Sequence, residues 1–137
     1  YYQSGKLEEE VNWKDGKSEG LNTKYYENGQ LKLTQNFIDG KRNGIAKFYF
    51  ESGKLMQEQN LKDDLANGLI KIYNENGILE AENNFKDGEA NGLCKTYDEK
   101  GKLIDEVLYL KGRPLDDKLT QELLYGDLPD DTPLDSL

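Results

Sequence analysis

Carboxylates are the side chains this sequence offers most freely for chemistry. Glu10, Glu58, Glu82 and Glu106 fall on a common 24-residue spacing. Two of them on neighbouring segments, such as Glu58 and Glu82, would meet the need of a glycosidase for paired carboxyl groups if their strands brought them face to face. The same residue returns unit after unit, however, whereas an active site is usually singular, so the row reads as a solvated face. The Asp/Asn-rich stretches 15–20, 39–44 and 87–92 hold oxygen ligands for calcium but lack the D-x-D-x-D-G spacing of an EF-hand. Histidine is absent, which removes His-dependent triads, the commonest neutral-pH base and most zinc sites. Cys94 stands alone and reads as a small buried or half-buried side chain. No glycine-rich phosphate loop leads into a helix. The expectation is a protein that is no enzyme and takes no cofactor or metal.

Lysine is more informative. Lys47, Lys71 and Lys95 recur at the same spacing among apolar residues, and a charge on such a face is not fully buried without a counter-charge. Either the neighbouring Glu rows meet it through cross-strand pairs, or an acidic partner segment does, this chain's own tail included. The row Asn12, Asn36, Asn60 and Asn84 is expected to tie strands or loops of adjacent units together.

These rows exist because the chain repeats. Tyrosine stands at Tyr1, Tyr25, Tyr49, Tyr73 and Tyr97, glycine four residues on at Gly5, Gly29, Gly53, Gly77 and Gly101, and leucine two further at Leu7, Leu31, Leu55, Leu79 and Leu103. A large apolar residue recurs at Trp13, Phe37, Leu61, Phe85 and Tyr109, and a second glycine, followed by Leu or Ile, at Gly20, Gly44, Gly68 and Gly92. A period in the range of about 20–50 residues marks a repeat architecture. Two kinds of punctuation alternate within each unit. Glu27-Asn28-Gly29 and its counterparts suit a tight hairpin turn, and the Asp-Gly stretches read as longer loops. The segments between them lack helical spacing. Tandem hairpins of 24 residues are therefore predicted to pair edge to edge over 1–112 as an all-β, single-layer, twisted antiparallel sheet of about nine or ten strands. In a simple pleat the Tyr, Leu, aromatic and Lys rows share one face, and the Asn and Glu rows take the other; a bulge would reassign a row. In the third unit Asp64 replaces a recurrent glycine, which alters the loop without breaking the sheet.

The pattern stops at Arg113-Pro114. Asp116-Asp117 then offers an N-cap for a short helix over 118–125 with Gly126 as its stop, and Leu119, Leu123 and Leu124 form a stripe that would seal the last hairpin as a cap within 113–126. Residues 127–137, with Pro129 and Pro133 and no basic side chain, read as an extended, disordered acidic tail. Net charge is −9, and residues 113–137 carry 7 acidic against 2 basic side chains. Such a balance argues against nucleic acid and anionic membranes as partners and suits a basic protein. The chain opens on Tyr1-Tyr2 without a start methionine or a signal-like apolar core, as expected of a piece of a longer precursor. Compartment, cytoplasm or cell envelope, stays open.

At Trp13-Lys14-Asp15-Gly16-Lys17-Ser18-Glu19-Gly20, and again at 37–44 and 85–92, the pattern aromatic-x-D-G-x-x-x-G resembles the membrane occupation and recognition nexus (MORN) repeat. The 24-residue spacing and the Y-x-x-x-G-x-L element are similar to its bacterial variant, whose members include proteins catalogued as antitoxins. The resemblance implies a non-catalytic protein-binding module, in its most specific form an antitoxin or immunity-type protein that occludes a toxin, for which Tyr25, Tyr49, Tyr73, Phe37 and Phe85 would supply contact area and Lys47, Lys71 and Lys95 orientation. A self-associating cell-envelope scaffold is the competing reading, and a lipid-associating repeat the third.

Overall fold

The computed structural model describes residues 1–126; the expected tail, 127–137, lies outside the described residues. The first repeat and the one after it run through β1 (Glu9–Glu10), β2 (Trp13–Lys14), β3 (Lys17–Ser18), β4 (Gly20–Tyr25), β5 (Leu31–Ile38), β6 (Lys41–Arg42) and β7 (Gly44–Tyr49). The same sequence of lengths returns in β8 (Leu55–Lys62), β9 (Leu65–Ala66), β10 (Gly68–Tyr73), β11 (Leu79–Lys86), β12 (Glu89–Ala90), β13 (Gly92–Tyr97), β14 (Leu103–Leu110) and β15 (Arg113–Pro114), before the helix α1 (Asp117–Tyr125). Among the described residues, thirteen strands form one sheet, ten of them on the continuous path β1-β4-β5-β7-β8-β10-β11-β13-β14-β15. The remaining three, β6, β9 and β12, add to the ends of β5, β8 and β11, and β2 pairs with β3 alone. Every pairing is antiparallel, as a chain of hairpins requires.

The two turn types exchange the roles expected of them. The Asp-Gly stretch is the tighter one: Ile38 pairs with Lys41 across Asp39-Gly40, and both turn residues have positive φ, 54° and 82°. That is the backbone of a two-residue primed turn, whose twist matches the flanking strands. The Glu-Asn-Gly turn is a three-residue loop closed by Tyr26 N–H to Gln30 O at 2.8 Å and Gly29 N–H to Tyr26 O at 2.9 Å, with positive φ at Gly29 alone of the three. Small hairpins stack on one another through the second turn residue, as Gly88 N–H donates to Ala66 O and Gly112 N–H to Ala90 O, both at 2.8 Å.

Asp64 holds the left-handed conformation of the glycine it replaces, at φ 71°, and the hairpin survives with Lys62 opposite Leu65. Arg42 compensates: its backbone N–H and its Nε–H donate to Asp64 Oδ1 at 2.8 and 3.1 Å, and its Nη2 donates to Asp64 O at 3.1 Å. The backbone N–H first, then the guanidinium, holds the Asp64 carboxyl below its ordinary pKa. A carboxylate with a depressed native pKa contributes stability above its unfolded pKa and loses it as pH falls through the native value. Asp64→Asn is therefore expected to lower Tm at neutral pH by roughly 1–3 °C, the scale of an exposed ion pair. The difference should vanish in acid; a gap unchanged between pH 7 and the acid limit would assign the effect to the turn backbone instead.

One unpaired residue per repeat decides the faces of the sheet. Tyr73 pairs with Leu79 but Ile72 pairs with Ala81, so Glu80 has no opposite number. Lys32, Met56 and Ile104 are left out in the same way in the other units. Beyond each bulge the long strand is out of phase with the simple count, and every later side chain changes side. Pairing then places the Phe37, Leu61, Phe85 and Tyr109 row with Phe48, Ala46, Ile70 and Ile72 on one apolar face. Ala46, Leu61 and Ile70 are its most buried members, at 1%, 8% and 9% exposure. The expected sharing of a face by the Tyr and Phe rows is thus corrected: Tyr25, Tyr49 and Tyr73 lie on the face opposite Phe37 and Phe85.

The Asn row fills the places where successive hairpins splay. Asn60 Nδ2 donates to Leu69 O at 2.8 Å and Asn84 Nδ2 to Leu93 O at 2.6 Å, satisfying carbonyls the backbone ladder has abandoned. Gly68, at φ 110°, is needed beside it, since a Cβ there would lie 3.2 Å from Asn60 Cβ. At the C-terminal end Asp116 caps α1 by accepting from Leu119 N–H at 2.7 Å, and Gly126 N–H closes it onto Glu122 O. Leu119, Leu123 and Leu124 are half-buried, while Thr120 is buried at 1% exposure.

Candidate interaction surface

Register places the Lys and Glu rows on the same face, in one continuous line across the sheet. Glu10 pairs with Thr23, Thr23 with Thr34 and Thr34 with Lys47. From there the charges alternate: Lys47 opposite Glu58, Glu58 opposite Lys71, Lys71 opposite Glu82, Glu82 opposite Lys95 and Lys95 opposite Glu106. Directly opposed side chains of opposite sign favour the pairing by about 0.2–1 kcal/mol each. The sequence count had put the Glu row on the other face, and the bulge brings it back. It also separates Glu58 from Glu82 by Lys71, so the two carboxylates do not form a facing pair.

All six charged rungs from Lys47 to Glu106 are half-buried. Among the described residues the ion pairs closed within 4.0 Å lie elsewhere, at the Tyr1 amino group with Glu8, Lys17 with Asp39 and Arg42 with Asp64. The ladder is opposed in register yet not locked, which leaves its ammonium and carboxylate groups able to meet other charges. Tyrosine buttresses two rungs: Tyr97 Oη donates to Glu82 Oε1 at 2.7 Å and Tyr125 Oη, from α1, to Glu106 Oε1 at 2.8 Å.

The bond to Glu82, with burial and the charges of Glu82 and Glu106 behind it, pushes the Tyr97 pKa up to about 12. A hydroxyl whose native pKa is raised adds stability that is complete below the unfolded value near 10 and is lost as pH climbs through the native value. Alkaline titration followed by phenolate absorbance should show one tyrosine ionising well after the exposed ones. Tyr97→Phe should remove that step; its persistence would reassign it to another tyrosine.

Flanking the ladder on one side is the row Tyr25, Tyr49, Tyr73 and Tyr97 with its paired leucines Leu31, Leu55, Leu79 and Leu103. On the other side runs Leu21, Ile45, Leu69 and Leu93. Leu21 and Ile45 are about half exposed, at 52% and 49%. Of the residues proposed from sequence, Lys47, Lys71, Lys95, Tyr25, Tyr49 and Tyr73 are thus brought together on this face, and Phe37 and Phe85 are not. Sequence reading missed Leu21 and Ile45 as surface, although the residue after the second glycine is Leu or Ile in every unit. The Glu rows, one of the two companions that the sequence offers for the lysines, stand opposite them in register at Glu58, Glu82 and Glu106. Among the described residues no three His, Cys, Asp or Glu side chains gather in a way that would hold a metal ion.

A family model described as "MORN repeat variant" matches the chain five times, at residues 1–15, 18–39, 42–63, 66–87 and 90–111, well over half of its length. No curated protein matches. A solved structure titled "Crystal Structure of TarM" superposes with a TM-score of 0.49 at 10% identity, over 90% of this chain and 23% of that one.

Proposed function

Because this chain belongs to the MORN repeat variant family, we propose that it is a non-catalytic protein-binding module whose ladder face holds a protein partner. In its most specific form it is an antitoxin or immunity-type protein that occludes a basic toxin. One observation carries the reading: a single face presents a line of alternating charges, not closed on one another, between two apolar rows of which Leu21 and Ile45 stand half in solvent. Apolar rows supply the area that association needs, and fixed charges set register and exclude wrong partners. The chain's net charge of −9 favours fast encounter with a cationic protein and opposes association with phosphate backbones and anionic bilayers.

The test pairs the wild-type chain with Ile45→Asp as immobilised baits in a lysate of the source organism. The expected result is one near-stoichiometric protein held by the wild type in moderate salt and released by the variant, toxic when expressed alone and harmless beside this chain. Equal retention by both baits would sink the assignment to this face. Recovery of the chain alone would favour a self-associating scaffold.

A further inference from the structure

We infer that the outer edge of β14, where it faces α1, is a strand-addition site for an extended, lysine-bearing segment of a partner protein. Inside the array every long strand is paired on both sides. The outer side of β5 takes Leu33 to Phe48 and Thr34 to Lys47, β8 takes Gln57 to Ile72 and Glu58 to Lys71, and β11 takes Ala81 to Thr96 and Glu82 to Lys95. The equivalent residues of β14 are Asp105 and Glu106, and among the described residues no strand meets them on that side, since β15 pairs only with Tyr109 and Leu110. Instead the chain turns into α1, which stands off from the edge. Between them lies an open cleft of about 360 Å³ lined by Leu103, Ile104, Asp105, Glu106 and Gln121.

The helix replaces part of the missing repeat. Tyr125 gives Glu106 the hydroxyl bond that Tyr97 gives Glu82, but the rung itself, a lysine opposite the glutamate, is not supplied. An unpaired edge offers main-chain hydrogen bonds to any extended segment, and alternate side chains set which segment fits. Here the ladder dictates that choice. Glu106 faces Lys95 on the inner side and calls for a cation on the outer side, with exposed Asp105 next to it adding negative charge. Ile104, 61% exposed, and Leu103, 41% exposed, offer apolar contact to the neighbouring residues of the incoming strand.

The probe is an acetylated heptapeptide, Gly-Leu-Ser-Lys-Thr-Tyr-Asp, which copies residues 92–98 with serine in place of Cys94. Titrated into the full chain it should bind saturably below about 1 mM and slow amide exchange at Glu106, whose N–H lies on the same edge as the carbonyl of Leu108 that Leu115 already takes, but not at Glu9 and Glu10. Changing the peptide lysine to glutamate should weaken binding at least about tenfold, a change that leaves the protein untouched. Glu106→Lys in the protein should restore the glutamate peptide. Ile45→Asp, which tests the ladder face, should leave peptide binding unchanged, so the two readings fail separately. Absence of saturable binding, protection at other amides, or indifference to the peptide's charge would each overturn the inference. A concentration-dependent dimer of the chain alone, with the same amide protected, would overturn the assignment to a partner's segment in favour of a second copy.

Discussion

Replacing Ile70 by aspartate should cost about 4 kcal/mol or more and break the cooperative unfolding of the array, whereas the same replacement at Ile45 should cost no more than about 1 kcal/mol. The two isoleucines have similar settings in sequence, one or two residues after the recurrent glycine of neighbouring units. Pairing separates them. Ile70 lies opposite Asn83 on the apolar face and is 9% exposed, and Ile45 lies opposite Asn60 on the ladder face and is 49% exposed. A carboxylate at Ile70 would be desolvated among Ala46, Leu61 and Phe85 rows with no cation on its own side of the strand. At Ile45 it would stay in water. Urea unfolding followed by circular dichroism measures both, and equal costs would mean that the bulge does not set the faces as described. Because each repeat leans chiefly on its neighbours, loss at the centre should propagate to both sides.

Lys95→Glu is expected to destabilise the chain by about 1–2 kcal/mol, because it turns two favourable oppositions, with Glu82 and with Glu106, into two repulsive ones. Adding Glu106→Lys should recover about half of the loss, since one of the two pairs is restored and the clash with Glu82 remains. The coupling measured by that double-mutant cycle belongs to the pair itself. It should shrink in molar salt, where the screening length falls to about 3 Å. A Lys95→Glu variant as stable as wild type, or a double variant no better than the single, would show that the opposed rungs contribute nothing beyond their β-propensity. The rungs nearest the centre should respond alike, since Lys71 also stands between two glutamates, Glu58 and Glu82.

The repeat itself was legible without coordinates, in unit length and in the ten strands of the continuous path, but the two-residue strands β6, β9 and β12 that bring the sheet to thirteen among the described residues were not. Tyr25, Gly29, Leu31, Phe37 and Gly44 recur because each does one local job that depends on residue type alone: positive φ at Gly29 and Gly44, a side chain with apolar area at the others. The helix was legible for the same reason, since an N-cap aspartate and a Leu119, Leu123, Leu124 stripe are local signals; it begins at Asp117, one residue ahead of the expected start. The turns were located but their geometries were interchanged, because Asp tolerates the left-handed region well enough for Asp-Gly to make the two-residue turn.

Which side chains share a face was decided only by the tertiary structure. Alternation is a count of two, and one unpaired residue at Lys32, Met56, Glu80 or Ile104 inverts everything after it. Nothing in those four residue types marks them as bulges, for a cation, a thioether, a carboxylate and a branched aliphatic share no local preference. The bulge exists because pairing with the neighbouring strand must satisfy the three-residue turn at one end and the apolar row at the other. By the sequence alone the chain is a MORN-type array of hairpins with recurrent lysines and glutamates. Only the pairing of strands sets those lysines and glutamates against one another on one face, puts Phe37 and Phe85 behind the tyrosines, and leaves the outer side of Asp105 and Glu106 without a strand among the described residues.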